Sequence, residues 1–423
     1  MKKEKLAIKG GKPIRKKVLP FVPIEADVTQ KEINEVVKVL KSKKLSQLVS
    51  EKVSEFEEAF AKYYKIEYAI AVSSGTTALH VALAASGVGP KNDVILPPYT
   101  FVATANAILH QGAVPNFADI NPETYTLDPE DFEKRITPKT KAVIPVHMLG
   151  HPADMDPIIE IAKRHNLIVI EDCAQANGAE YKGRKVGTFG DFGCFSFYLN
   201  KHMTTGGEGG MIITHDEKLA KKARSIANHC RVEVSPYPNV PAHNVYWGIG
   251  YNYRMTALQA AMGIVQLKRL DKFIEARIKN AEYLTKNLKG IVGIKPPFVS
   301  KDVKHVYWAY GALVIEEELG VSRDKFAEAL LAEGIRAEGY CPIPVHLQDL
   351  FKNKVGYGNT TFPFENPLYG EGFSYQKGLC PKAEKLSSQD LLLPVYQSLT
   401  KKDLDDVINA IRKIVTNINE LKE

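Results

Sequence analysis

A chain of 423 residues, 44% hydrophobic and 25% charged, has the make-up of a folded globular protein but is too long for one compact core. Its 56 basic against 49 acidic residues leave only +7, partly in the opening MKKEKLAIKGGKPIRKK, and with no basic stripe or reader motif this argues against nucleic-acid binding. No apolar run approaches the roughly 20 residues of a membrane span, no apolar segment follows the basic N-terminus, and five cysteines without a CxxC pair suit a reducing compartment, so a cytoplasmic location is expected.

In chain order, residues 1–30 form an N-terminal arm, after which short β-branched runs alternate with helical patterns. Strands are expected at 69–74 (AIAVSS), 93–98 (DVILPP), 113–119 (AVPNFAD), 141–147 (KAVIPVH), 167–172 (LIVIED), 192–197 (FGCFSF) and 210–214 (GMIIT). Helices are expected at 76–85, 103–111, 129–136 and 155–165. Several strands are apolar throughout, as in a parallel sheet covered on both faces, and the alternation predicts an open α/β sheet. From YRMTALQAAMGIVQLKRLDKFIEARIKNAEYLTKNL onward the pattern is one long helix, then a strand at 306–315, a helix at 322–334, a Pro- and Gly-rich connection to about 380 and a closing amphipathic helix with a Thr cap. A boundary near residue 275 divides a large domain, 31–275, from a smaller α+β domain, 276–423.

Ligands of such sheets bind outside the carboxyl ends of the strands, and four strand ends stand out. Ser73-Ser74-Gly75-Thr76-Thr77 combines free backbone N–H groups, hydroxyls and a helix N-terminus, suited to phosphate; the same residues serve equally as a cap and turn. Asp172 ends an apolar strand, with Gln175 three residues on. It could hold a ring nitrogen protonated, or act as a cap or metal ligand. Lys201 follows an aromatic strand that includes Ser196 and precedes the glycine-rich TTGGEGG. Partial burial there would make its neutral amine accessible, although a solvated surface lysine fits the residue type as well. Phe101, after the second strand, is placed either to stack on a flat ring or to enter the core. Together these residues supply each contact that pyridoxal 5′-phosphate (PLP) requires.

SSGTTALHVAL, PPYTFVATANAI, EDCAQANGAEYKG, VGTFGDFGCFSFYLNKHMTTGGEGG and GYNYRMTALQAA resemble, in order and spacing, the DegT/StrS family of PLP-dependent sugar aminotransferases of fold type I. The resemblance runs from about residue 5 to the C-terminus. It implies Lys201 as the Schiff-base lysine, Asp172 as the partner of the pyridine nitrogen and Gln175 as the contact of the ring hydroxyl. Gly75, Thr76 and Ser196 match phosphate contacts, and Phe101 the stacking position. Asn252 matches a residue reaching the phosphate of a neighbouring subunit, which implies a homodimer with shared sites. Arg254 and His346 fall in segments lining the family's substrate region. The implied reaction moves an amino group from glutamate or glutamine to a keto-sugar or keto-cyclitol by a ping-pong mechanism; LAIKGGKPIR and KGLCPKAEKL are similar to the aminocyclitol branch. Two departures are a glycine turn one residue longer than TTGEGG and a long segment at 231–249. Alternatives are a dehydratase of the same fold using pyridoxamine phosphate, with histidine in place of the lysine (His202 is adjacent), a non-catalytic regulator, and a cysteine desulfurase, for which neither Cys230 nor Cys341 lies in a recognisable loop.

Overall fold

In the computed structural model, which describes residues 4–370 and 372–422, a seven-stranded sheet is built from β1 (Tyr68–Val72), β2 (Asp93–Leu96), β3 (Val114–Phe117), β4 (Thr140–Val143), β5 (Ile168–Asp172), β6 (Phe192–Ser196) and β7 (Gly210–Thr214). Their order is β1-β7-β6-β5-β4-β2-β3, and all neighbours are parallel except β7, which runs antiparallel to both β1 and β6. This is the open α/β sheet expected from the alternating pattern. β2, β3, β6 and β7 are buried along their whole length, which is why they read as continuous apolar runs rather than alternating ones.

The first helices are α1 (Gln30–Ser42), α2 (Lys52–Tyr64), α3 (Gly75–Ala85) and α4 (Ala103–His110). α3 is apolar almost all round and lies across β5, β6 and β7, whereas α2 places Phe56 and Phe60 against Phe197, and Phe60 also against Phe195, just past the centre of β6. Two apolar clusters thus cover the two faces of the sheet.

Two expectations are corrected. The long helix is two, Ala257–Leu267 and Leu270–Leu288. At the break Arg269 swings its guanidinium to Asp27 (2.5 Å) and Glu32 (2.6 Å), an ion-pair anchor stronger than the weak local preference for helix continuation. Of the run at 306–315, only Tyr310–Val314 is strand. The N–H groups of Val306 and Trp308 instead bond the carbonyls of Gly150 and Leu149, which draws this segment onto the large sheet. The opening residues pack against the smaller sheet and the closing helix. Leu6 and Leu19 are buried in a third apolar cluster with Leu284, Phe326, Leu393 and Ile411, and Arg15 pairs with Asp403 and Asp406 at 2.8 and 2.7 Å.

The helix Leu270–Leu288 joins the parts, since Leu270 and Ile274 pack under the large sheet while Ala281, Leu284 and Leu288 enter the third cluster. That cluster surrounds a three-stranded antiparallel sheet of Ile294–Lys295, Tyr310–Val314 and Asp390–Leu393. The closing helix, Lys401–Thr416, begins with the expected cap, where Thr400 and Asp403 form a reciprocal capping box. Among the described residues no helix is long and apolar enough to cross a membrane.

Candidate active site

The ends of β5 and β6, the N-terminus of α3 and the turn leading into α4 surround one cavity of about 580 Å³, within the roughly 300–1,000 Å³ of small-molecule sites. Gly75, Thr76, Phe101, Asp172, Gln175, Ser196 and Lys201 all line it. These residues lie far apart in sequence, and parallel strands bring them to one edge.

Ser74 caps α3. Its hydroxyl accepts from the Thr77 N–H (3.1 Å), while Thr77 Oγ1 accepts from the Ser74 N–H (3.0 Å). The box leaves the N–H groups of Gly75 and Thr76 uncommitted, at the positive end of an 11-residue helix and on the cavity wall. The cap is thus formed without using these two N–H groups, so capping and anion binding are compatible at this helix end. A Cβ at position 75 would come within 2.8 Å of Ser196 Cβ, so glycine lets the helix end approach β6 and bring the Ser196 hydroxyl beside these N–H groups.

Asp172 is buried, its carboxylate accepting from the Ala174 N–H (3.0 Å) and the Thr104 hydroxyl (2.9 Å). Burial pushes its pKa up; these two donors and the charge of Lys201 oppose the shift without cancelling it. The Lys201 amine has the opposite problem. Burial lowers its pKa from 10.5 to about 8 although the Asp172 charge pulls it upward, and its Nζ sits 4.7 Å from the centre of the Trp308 ring. An acid pushed up beside an amine pushed down marks a site arranged for proton chemistry. The adjacent His202 turns away into the interior, where its Nε2 lies 3.0 Å from the Val306 carbonyl oxygen. Lysine, and not the histidine of the dehydratase reading, therefore faces the cavity.

Gln175 is oriented by a backbone group. Its Oε1 accepts from the Leu149 N–H (2.9 Å), so its amide nitrogen points at the Tyr340 hydroxyl, 2.7 Å away. Phe101 is 64% exposed on the cavity rim, an apolar face open to a flat ligand and not the core aromatic of the alternative reading. In the glycine turn beyond Lys201, the N–H groups of Phe197 and Leu199 bond the carbonyls of Gly209 and Gly207, and Gly206 and Gly207 both take the left-handed conformation.

Three residues implied by the resemblance lie elsewhere. Asn252 is exposed and does not line this cavity. Arg254 donates to Asn228 Oδ1 (2.7 Å) in the same outlying region. His346 is fully buried between Phe117 and Glu384, with Nε2 3.1 Å from Glu384 Oε1. The Val345 N–H is bound to the Pro98 carbonyl, which pulls this turn into the core under β3, and so His346 has no face on this cavity. Conversely, Thr104, Glu208, Trp308, Glu338 and Tyr340 line the cavity without having been singled out from the sequence. Thr104 and Glu208 fall inside the quoted motifs PPYTFVATANAI and TTGGEGG, and Thr104 stands one helical turn after Thr100 with their hydroxyls 2.9 Å apart.

Behind Asp172, His147, Glu171 and Cys173 are close enough to suggest a metal site. Their donors are already engaged, however. Glu171 accepts from the N–H groups of Gly187, Phe189 and Gly190 and from His147, whose Nδ1 accepts from Ala153. Burial also holds the Cys173 thiol protonated. The cluster fixes the end of β5.

The donor set fits PLP: a helix N-terminus and hydroxyl for phosphate, a buried carboxylate whose raised pKa a cationic ring nitrogen would oppose, an exposed aromatic face and an amine whose pKa burial lowers. Residues 26–365 and 362–412 match the DegT/DnrJ/EryC1/StrS aminotransferase family. The chain is 39% identical over 368 residues to the GDP-perosamine synthase of Caulobacter vibrioides, across 86% of this chain and 90% of that one. It is 35% identical over 431 residues to a Micromonospora echinospora protein named for L-glutamine:3-amino-2,3-dideoxy-scyllo-inosose aminotransferase activity, across 99% of both. Among solved structures, an aminotransferase from Psychrobacter cryohalolentis superposes with a TM-score of 0.81 at 33% identity, over 94% of this chain and 100% of that one. DesI, solved with its TDP-sugar product, gives a TM-score of 0.82 at 27% identity, over 98% and 97%. The chain belongs to the DegT/DnrJ/EryC1/StrS aminotransferase family and is a PLP-dependent aminotransferase of fold type I.

Proposed function

We propose that the protein transfers an amino group from glutamate or glutamine to the ketone of a polyhydroxylated ring, a keto-sugar or keto-cyclitol. The observation that carries this reading is the buried Lys201 amine in the same cavity as Asp172 and the α3 N-terminus. When bound, PLP supplies an aldehyde and an electron-withdrawing ring through which an amino group passes from donor to ketone in two half-reactions. The Gly75 and Thr76 N–H groups and the Ser196 hydroxyl would hold the phosphate. Asp172 would keep the ring nitrogen protonated, Gln175 would contact the ring hydroxyl and Phe101 would cover the ring face. The free Lys201 amine takes a proton from the donor's α-carbon and, in the second half-reaction, delivers one to the former ketone carbon. Glu208, just before β7, and Glu338, on the facing wall, offer carboxylates to substrate hydroxyls.

The names of the two relatives above, one for a nucleotide-linked amino sugar and one for an aminocyclitol precursor, support a ring ketone as acceptor. Shared active sites in a homodimer are supported by the exposure of Asn252 away from its own cavity, and by the exposed apolar residues Ile33, Val37 and Leu40 along one face of α1. Light scattering at the mass of one chain would refute the dimer. For the reaction, purified protein should be yellow, bleach on borohydride reduction and, with glutamate or glutamine and a panel of ketosugars and inososes, yield an aminated product by mass spectrometry with ping-pong kinetics. A colourless protein that takes up no added PLP overturns the reading.

A further inference from the structure

Tyr340 enters the cavity from the chain beyond the large sheet and is held on every side. Its N–H donates to Asp390 Oδ2 (2.6 Å). Its ring packs edge-on to Trp308 and against Tyr99, at centroid distances of 5.7 and 5.8 Å. The hydroxyl direction is therefore set by the ring, and the hydrogen-bond direction by its neighbour. Leu149 N–H can only donate, so Gln175 Oε1 must accept from it and Gln175 Nε2 must donate onward. Tyr340 Oη thus accepts from Gln175, and its own proton has no acceptor among the described residues. Burial pushes the phenol well above its usual pKa, so that proton is present at neutral pH.

We propose that the Leu149–Gln175–Tyr340 chain makes Tyr340 a positioning residue that donates a hydrogen bond to an anionic or carbonyl oxygen in the cavity, either on the cofactor ring or on the substrate. The inference rests on the aminotransferase reading above. A one-way relay ending on a donor inside the cavity is a preorganised electrostatic element. It acts at the point where Gln175 and Tyr340 both face the space between Asp172 and Trp308.

The test uses the PLP-loaded enzyme and two variants. Tyr340→Phe keeps the ring packing and removes only the donor. Gln175→Glu keeps an acceptor for Leu149 N–H but offers Tyr340 a carboxylate, which turns its proton away from the cavity. If the acceptor is the cofactor's ring oxygen, both variants raise the pH midpoint of the visible absorbance band, measured without substrate, by about one unit, because the oxygen becomes more basic. If it is the substrate's oxygen, Tyr340→Phe leaves the band unmoved and raises KM for the ketone about 10-fold while the donor half-reaction is unchanged. A Tyr340→Phe enzyme that matches the wild type in both the spectral titration and KM overturns the proposal. A wild-type protein that takes up no PLP overturns instead the functional reading on which it rests.

Discussion

The sheet end of the cavity and the wall that faces it are held by different kinds of contact. At the sheet end, Gly75, Asp172 and Ser196 occupy the termini of regular elements, and their geometry follows from strand register and from the capping of α3. The facing wall, with Trp308, Glu338 and Tyr340, has almost no regular structure at the site. It is placed by long-range polar anchors: Trp308 N–H to Leu149 O, Tyr340 N–H to Asp390, and Asp390 to the Tyr99 hydroxyl at 2.8 Å. The sheet end should therefore tolerate little change in chemistry but retain its shape, whereas the wall should lose shape when a distant anchor is cut.

The largest effects are expected at the sheet end. Lys201→Ala should reduce turnover by at least about 10³-fold while leaving non-covalent PLP binding measurable by absorbance and dialysis. Asp172→Asn, which keeps the size of the side chain but cannot pair with a ring cation, should cost about 10²–10³-fold in kcat, read from steady-state kinetics. An Asp172→Asn enzyme with wild-type turnover would contradict the role assigned to this carboxylate.

On the wall, the buried pair Arg323–Asp390 (3.2 Å, with Arg323 also bonding the Asp390 and Ser387 carbonyls) is the anchor to cut. Arg323→Ala should destabilise the fold by about 3–5 kcal/mol in denaturant melts, since it strands a buried carboxylate. The same variant should disturb Tyr340 more than Lys201, moving whichever readout, spectral midpoint or KM for the ketone, Tyr340→Phe moves. Gly75→Ala should cost about 1–3 kcal/mol from the 2.8 Å clash with Ser196 and weaken PLP affinity, measured by equilibrium dialysis.

The smallest and most specific expectation concerns pH. The folded Lys201 pKa of about 8 lies below its ordinary 10.5, so burying the charged amine opposes folding at low pH, and that penalty disappears as pH rises from about 8 to 10.5. Cofactor-free wild type should accordingly gain stability relative to Lys201→Met over this interval. Because the neutral amine is the nucleophile, PLP capture followed at the visible band should also accelerate as pH rises through about 8. A midpoint near 10.5 would show that Lys201 is not desolvated.

Most of the sheet end was legible because its signals are local. β6 and β7 occupy residues 192–196 and 210–214, inside or coincident with the expected 192–197 and 210–214, and Lys201 follows at the spacing from Ser196 that the resemblance required. Trp308 and Tyr340 were not legible, since neither lies in a motif with chemical content; each reaches the cavity through a partner more than 100 residues away. His346 shows the converse. It sits in a recognisable segment, yet Val345 N–H bonding Pro98 O draws it between Phe117 and Glu384 and away from this cavity.

By itself, then, the sequence determined the α/β sheet, because apolar periodicity, strand ends and helix caps depend on neighbours a few residues apart, whereas the amine, the carboxylate and the phosphate-binding turn were singled out among open alternatives by the family resemblance. Tertiary structure decided that Lys201 and not His202 faces the cavity, that burial drives the pKa values of Lys201 and Asp172 in opposite directions, and that Tyr340 closes the far side. Desolvation and hydrogen-bond direction are properties of the surrounding packed volume, and that volume exists only once segments distant in sequence have met.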